Sequence, residues 1–229
     1  MRNKLFIVLT VLTLVSSLAS ATPSTQIWNP STDIQAAGSW HFGVDDYFTV
    51  EDRTSGGYSF PTDLGLTYGL LPGLEIGVDA FLPQAVPASS LVLNAKYGIP
   101  EKDSLPAIAI GGFGFGLQPN VTDQNVLYGV VAKTFPIGRL SAGYFMGSEK
   151  LLLDPSGNKD NAGLILTWDK ALTDKIWLCV DYAGTKSALG AAFAGFSYAF
   201  SSNTSVIFAY GKYNNDAKPT ITTQLDINL

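Results

Sequence analysis

The sequence predicts an all-β fold: a single antiparallel up-and-down β-barrel, most simply of twelve strands, that crosses a membrane. Three observations support this prediction. The sequence begins with the pattern of an export signal and continues as a series of segments in which apolar and polar residues alternate. It ends on one of those segments, Thr220–Leu229. In that last segment the apolar side chains share one parity and the polar ones the other, which is the period of a strand. The strand that closes a membrane barrel cannot fray, because it must pair with the first.

The composition separates the chain from ordinary soluble domains. Only 14% of the residues are charged and 46% are hydrophobic, whereas charged residues make up about 25% of a typical soluble domain. After the N-terminal segment, no apolar stretch approaches the roughly 18 residues that a spanning helix needs. The net charge is −5 and no basic patch appears, which argues against nucleic acid as a partner. The single cysteine, Cys179, excludes an internal disulfide framework.

The first residues have the pattern of a secretory signal peptide. Arg2 and Lys4 precede an apolar run, Leu5–Val15, and the small residues Ala19 and Ala21 follow it. A basic start, a short apolar core and an A-x-A site are what signal peptidase recognises. We therefore expect residues 1–21 to be removed after export.

The remainder divides into two parts. Residues 22–37 are polar, short and poor in strand pattern, so they either extend into the periplasm or fold inward as a plug. Residues 38–229 carry the alternating segments and form the predicted barrel.

The first six predicted strands are each defined by the parity of their apolar residues. The fifth carries a phase slip at Gly111-Gly112. The outward residues predicted for these strands are Trp40, Phe42 and Val44; Leu64, Leu66, Tyr68 and Leu70; Leu74, Ile76, Val78, Ala80 and Leu82; Leu91, Leu93, Ala95, Tyr97 and Ile99; Phe113, Phe115 and Leu117; and Val126, Tyr128, Val130 and Ala132.

The last six predicted strands follow the same rule, and the even total returns both termini to one side of the membrane. Their outward residues are predicted to be Leu140, Ala142, Tyr144 and Met146; Ala162, Leu164, Leu166 and Trp168; Ile176, Leu178, Val180 and Tyr182; Ala194, Phe196, Tyr198 and Phe200; Val206, Phe208 and Tyr210; and Ile221, Thr223, Leu225, Ile227 and Leu229.

The connections and the aromatic residues orient the barrel. Tight turns such as Leu71–Gly73 alternate with longer polar loops such as Ser148–Asp160, and short turns face the periplasm in this architecture. With that orientation, eight outward aromatic residues fall at two levels, as in interfacial girdles. The inner set is Tyr68, Tyr97, Trp168 and Tyr198, and the outer set is Tyr128, Tyr144, Tyr182 and Tyr210.

One hairpin resembles a known group. The segment Tyr68–Val78 is similar to the recurring hairpin of bacterial outer-membrane barrels grouped as transporters, including the phenol-degradation-pathway (MetA-like) proteins. The alternating pattern covers nearly all of the chain after residue 37, but the motif has low specificity. The resemblance implies the class and no substrate, and it supplies no functional residues.

The opposite parity should face the lumen, and its charged members are the candidate functional residues. A Lys or Arg on the lipid face near the midplane would cost about 2–4 kcal/mol, so these side chains are expected to point inward. The charged residues of this parity are Asp63, Glu75, Asp79, Lys96, Lys133, Arg139, Asp181 and Asp226, and all of them except Asp63 are the candidates for the lumen or a constriction.

Two interpretations of these charges stay open. The first is that they form ion pairs in the wall, such as Glu75 with Lys96, and brace a water-filled interior. The second is a basic constriction at the inner mouth, where Lys133 and Arg139 flank one tight turn and would favour anionic or polar solutes.

Catalysis is not expected. His41 is the only histidine, and no G-x-S-x-G motif or carboxylate pair for acid–base work accompanies it. The loop Asp154–Asp160 lacks the closing Glu of a calcium site, and Gly111–Gly116 lacks the Lys of a phosphate loop. We therefore predict that the protein is not an enzyme and that it binds neither a cofactor nor a metal.

The resulting functional hypothesis is a passive, porin-like channel of the bacterial outer membrane for small polar or aromatic solutes. The alternative is a closed barrel with a structural or surface-interaction role. The expected partners are outer-membrane lipid, solutes in the lumen, and the outer-membrane assembly machinery acting through the C-terminal strand.

Overall fold

The chain forms one closed barrel. The computed structural model describes residues 24–82 and 91–229, so the predicted signal peptide lies outside the described residues. Within the described ranges, helical structure amounts to a 3₁₀ turn at Arg53–Ser55. None of the helical structure in that part of the chain has the length and apolar character needed to span a bilayer.

Twelve antiparallel strands make up the wall of the described barrel, and each pairs with its neighbours in chain order. This confirms the predicted fold class and strand number. The strands are β1 (Trp40–Thr49), β2 (Thr62–Leu71), β3 (Leu74–Leu82), β4 (Leu91–Ile99), β5 (Ala107–Gly116), β6 (Asp123–Phe135), β7 (Gly138–Met146), β8 (Ala162–Ala171), β9 (Ile176–Ala183), β10 (Ala191–Ala199), β11 (Thr204–Tyr213) and β12 (Thr220–Asn228).

The first and last strands close the barrel. Phe42 lies opposite Ile227 and Val44 lies opposite Leu225, so the outward residues of β1 and β12 match. The chain end is fixed as well, because Trp40 and Leu229 exchange two backbone hydrogen bonds of 2.8 and 3.0 Å. Closure pairs the backbone groups that an open sheet would leave exposed at its edges.

The side chains alternate between an apolar exterior and a mostly polar lumen. Trp40 is 43% exposed on the outside, whereas the next residue, His41, is 5% exposed and faces the lumen. The alternation confirms the predicted outward parity of β7 to β12 and of β1 to β4. An exterior rich in exposed Leu, Ile, Phe and Tyr is the reverse of a soluble domain and suits contact with lipid.

The tightest connections and the longest ones lie at opposite ends of the barrel, although the β4–β5 connection, 100–106, is a longer one at the end of the tight turns. The tight turns 72–73, 136–137 and 200–203 lie at the end where β1 begins and β12 finishes, which we call the inner end. The longer connections, including 50–61 and 147–161, lie at the opposite, outer end. Gly73 has a positive φ of 83°, a conformation that glycine adopts without strain and that lets the first of these turns stay tight.

The predicted parity of β6 is wrong. Val126 and Val130 are at most 2% exposed and face the lumen, whereas Leu127 and Val131 are about half exposed on the outside. Tyr128 therefore points inward and does not belong to the outer aromatic girdle. β6 is apolar on both faces, so alternation alone could not choose between them.

The predicted phase slip in β5 exists, but it lies further along the strand. The register shifts between Phe113 and Phe115, at Gly114, which has a positive φ of 67°. Phe113 therefore shares the inward face with Val126, and the prediction that it faces outward is wrong. Phe115 lies opposite Leu93 on the outside, as predicted.

Candidate functional site

A segment of the chain occupies part of the lumen. Residues 24–37, which we call the plug, precede β1 and fold back into the barrel. The plug begins as a small hairpin in which Thr25 bridges Pro30 and Gln26 donates to the Asn29 carbonyl at 2.8 Å. Gln26, Ile27 and Asn29 are all at most 2% exposed. Of the two placements that the sequence left open, the structure therefore has the inward one for these residues.

A single carboxylate on β9 holds the tip of the plug. Asp181 Oδ2 accepts backbone hydrogen bonds from Ile27 at 3.2 Å, Trp28 at 2.8 Å and Asn29 at 3.1 Å. Asp181 is itself only 1% exposed. Three backbone donors of the hairpin are satisfied by this one buried oxygen, so the contact is a polar anchor of the hairpin.

Trp28 fixes the plug against the β10–β11 side of the wall. Its ring stacks on Phe193 with centroids 5.1 Å apart, and it meets Tyr47 and Tyr213 edge-on at 5.6 and 5.9 Å. The indole Nε1 donates to the Leu189 carbonyl at 2.8 Å. These aromatic contacts hold the plug against β1, β10 and β11.

A buried ion pair joins the plug to β3 and β4 near the inner end. Lys96 Nζ lies 3.3 Å from Glu75 Oε1, and each side chain is 2% exposed. Glu75 accepts from Ser24 Oγ at 2.7 Å and from the Gln35 backbone N–H at 2.6 Å, while Lys96 donates to the Ser24 carbonyl at 3.0 Å. The ion pair suggested by the sequence is therefore present, and it holds both ends of the plug.

Arg139 neutralises two carboxylates on the opposite side of the inner end. Its Nη1 lies 2.7 Å from Asp33 of the plug and its Nε lies 2.9 Å from Asp169 of β8. Asp169 also accepts from Gln26 Nε2 at 3.0 Å and from Trp177 Nε1 at 3.1 Å. Sequence reasoning missed Asp33 and Asp169, although Asp169 shares the inward parity of β8.

The prediction that Lys133 faces the lumen is wrong, because it depended on the reversed parity of β6. Lys133 lies opposite Leu140 on the outer face and forms a 2.8 Å ion pair with Glu101 in the β4–β5 connection. The Lys133 ammonium and the Thr134 hydroxyl, both hydrogen-bonded to Glu101, lower the pKa of that carboxyl. Lys133 and Arg139 therefore lie on opposite faces of the wall, and no basic constriction forms from them.

The buried Glu75–Lys96 pair and the partly exposed Glu101–Lys133 pair test how burial changes the contribution of an ion pair to stability. Glu75→Gln leaves the Lys96 ammonium buried without its counter-charge, and breaking such a pair costs about 3–5 kcal/mol. Glu101→Gln removes a partly exposed partner of Lys133, and we expect no measurable change in stability. The measurement is the urea midpoint of unfolding of both variants in detergent, monitored through the gel-mobility shift of folded barrels. Equal urea midpoints for Glu75→Gln and the unchanged chain would contradict the role of Glu75 as the counter-charge of the buried Lys96.

A cavity of about 690 Å³ lies beside the plug and is lined mainly by β1–β5, with further residues from β6 to β9, β11 and β12. It reaches from Glu75 and Lys96 near the inner end to Val121 and Leu189 in the outer connections. Its lining combines carboxylates with aromatic rings, and its main members are His41, Asp45, Asp63, Asp79, Asp226, Tyr47, Phe60, Phe81, Phe113, Tyr128 and Tyr213.

The remaining predicted site residues, Asp79 and Asp226, both line this cavity. Asp79 accepts from Asn94 Nδ2 at 2.7 Å, and Asp226 Oδ1 lies 3.3 Å from His41 Nε2. Asp45 and Asp63 have the same inward parity in the sequence but were not among the candidates. Across residues 24–82 and 91–229, no group of His, Cys, Asp and Glu side chains has the arrangement of a metal site.

Comparison with known proteins identifies the fold. No family model and no curated protein matches the sequence. The solved structure of the KdgM porin in complex with disordered oligogalacturonate aligns over 82% of this chain and 98% of that chain, with a TM-score of 0.52 and 9% identity. A second solved structure, of the KdgM porin, aligns over 81% of this chain and 97% of that chain, with a TM-score of 0.51 and 10% identity. At this identity the similarity establishes a porin-like barrel fold.

Proposed function

We propose that the chain is a bacterial outer-membrane barrel that acts as a restricted passive channel for small polar or aromatic solutes. The observation that carries this proposal is the cavity of about 690 Å³ that follows the β1–β5 wall beside the plug. It is large enough for a small solute, since ligand cavities usually measure about 300–1,000 Å³. Passage would need no chemical step.

The exterior supports a position in the outer membrane. Outward Leu, Ile and Phe side chains form the apolar surface, and seven of the eight predicted girdle residues, all except Tyr128, keep the outward parity. Such girdles are typical of outer-membrane barrels. The expected partners are therefore lipid on the outside, solutes in the lumen, and the assembly machinery at the exposed end of β12.

The plug would limit the size and the rate of solutes. At the inner end, Glu75 binds Ser24 and Gln35 and Lys96 binds Ser24, so we expect these contacts to narrow the path. Small movements of the plug would widen it, and larger solutes would stay excluded. The resemblance of Tyr68–Val78 to transporter-type barrels, including the phenol-degradation-pathway group, supports the same class without naming a substrate.

The alternative is a closed barrel without transport. It is favoured by the near-complete burial of Glu75 and Lys96, each 2% exposed, at the level where the plug crosses the lumen. If these contacts never open, the cavity is closed at the inner end and no solute can cross the barrel.

A vesicle-swelling experiment separates the two functions. The folded chain is reconstituted into phospholipid vesicles, which are then diluted into isotonic solutions of uncharged solutes of increasing size. The proposal predicts swelling with the smallest solutes at rates above those of protein-free vesicles, falling to the background as size increases. Background rates for every solute would support the closed barrel.

A further inference from the structure

The free part of the lumen is acidic. Asp45 lies opposite Asp63 in the β1–β2 register, and Asp79 lies opposite Gly65 in the β2–β3 register, so three carboxylates on neighbouring strands face one cavity. None of the ion pairs formed among residues 24–82 and 91–229 includes any of these three.

The basic groups of the lumen are already engaged elsewhere. Lys96 is bonded to Glu75, and Arg139 is bonded to Asp33 and Asp169. Among residues 24–82 and 91–229, no ion pair gives Asp45, Asp63 or Asp79 an ammonium or guanidinium partner. Like charges in a confined space of low dielectric repel each other more strongly than in water.

One enclosed carboxylate oxygen in the same cavity lacks a hydrogen-bond donor. Asp63 Oδ1 accepts no hydrogen bond within the described residues. Asp226, which also lines the cavity and is 2% exposed, has a partner, because its Oδ1 lies 3.3 Å from His41 Nε2. Unsatisfied buried acceptors are costly, so Asp63 Oδ1 points to a donor that the described chain does not supply.

Aromatic rings line the cavity together with these carboxylates. Tyr47, Phe60, Phe81 and Phe113 all contribute to its wall, and Phe81 lies opposite Asp63 in the β2–β3 register. Aromatic faces attract organic cations and pack against apolar groups. The lining therefore offers one region for a positive charge and an adjoining region for an apolar body.

We propose that this cavity is a binding site for a small organic cation, an amine that carries an aromatic or aliphatic body. The ammonium group donates hydrogen bonds to the carboxylates of Asp45, Asp63 and Asp79, and the body packs against the neighbouring rings. The proposal deepens the proposed function, because it rests on the cavity being the solute path and names the class of solute. Anionic solutes of the same size are disfavoured by the same uncompensated charge.

The test compares three probes of one shape and different charge. Binding of 2-phenylethylammonium, 2-phenylethanol and phenylacetate to the folded full chain in detergent is measured by isothermal titration calorimetry. We expect the ammonium probe to bind at least roughly tenfold more tightly than the alcohol, since hydrogen bonds to charged groups contribute about 1.5–3 kcal/mol. Phenylacetate should bind more weakly than the alcohol.

Two variants locate the site. Asp63→Asn combined with Asp79→Asn keeps the shapes and removes two charges, and it should reduce the preference for the ammonium probe roughly tenfold. Asp216→Asn, in the exposed outer connection, is the matched control and should leave the preference unchanged. The gel-mobility shift confirms that each variant is folded.

The outcomes distinguish this inference from the proposed function. Equal binding of the three probes, or a preference unaffected by the double variant, would overturn the amine site. If vesicle swelling persists in that case, the channel function stands without it. Selective amine binding together with background swelling would support the site and would contradict transport.

Discussion

Deleting residues 24–36 is expected to raise the single-channel conductance of the reconstituted barrel several-fold. The deletion removes most of the plug but keeps Ala37, which bridges Gly69 next to β1. It also leaves the β1–β12 register that closes the barrel unchanged. A wall of twelve tilted strands has a backbone radius of roughly 12 Å, so clearing the plug opens most of the lumen to water.

The measurement is conductance in planar bilayers at fixed salt, for the full chain and the deletion chain in the same lipid. Both proteins must show the folded gel mobility, which excludes a trivial loss of structure. The full chain should produce small steps and the deletion chain large, steady ones. Indistinguishable step sizes would mean that the plug does not occupy the conducting path.

Asp181→Leu is expected to release the tip of the plug and to expose Cys179 to water-soluble thiol reagents. The substitution removes the acceptor of three backbone N–H groups, those of Ile27, Trp28 and Asn29. Each buried donor left unsatisfied costs about 1–3 kcal/mol, which favours a displaced hairpin. Cys179 reports this movement because it is 1% exposed and packs in the same lumen cluster as Ile27.

The readout is the rate at which a charged methanethiosulfonate modifies the protein, followed by intact mass. Cys179 is the only cysteine in the chain, so one adduct identifies the site. Asp181→Asn keeps one acceptor oxygen and should react at a rate close to that of the unchanged chain, while the deletion chain should react fastest. If Cys179 in Asp181→Leu is modified as slowly as in the unchanged chain, contacts other than Asp181 are sufficient to hold the tip of the plug, which would contradict the prediction.

The outer face of the barrel could be predicted from the sequence because lipid imposes one rule on it. An outward side chain must be apolar, and in most strands the inward residues are small or polar, so the parity is visible. In β6 that contrast disappears. Val126 and Val130 pack inside the barrel against Phe145 and Ile165, and the strand is apolar on both faces. The misplacement of Lys133 followed directly from this ambiguity.

The candidate site could be predicted only in part. Inward parity identified Glu75, Lys96, Arg139 and Asp181 as lumen residues and suggested the Glu75–Lys96 pair, but it did not identify their contacts in the plug. Their partners in the plug are far away in the sequence; Asp181, for example, binds a segment more than 150 residues earlier. No local pattern encodes such contacts, so the anchoring of the plug and the charge left over in the cavity emerge only from the three-dimensional arrangement.

The central claim is that solutes cross this barrel through the cavity beside the plug, along β1–β5. Gly65 lines that cavity, and a Cβ atom there would meet only the flexible end of Asp79, at 3.1 Å. The most direct test is therefore the single-channel current of the full chain carrying Gly65→Cys and Cys179→Ser, before and after modification by a bulky methanethiosulfonate. The account predicts that modification largely blocks the current. An unchanged current in fully modified protein, or no current at all, would contradict it.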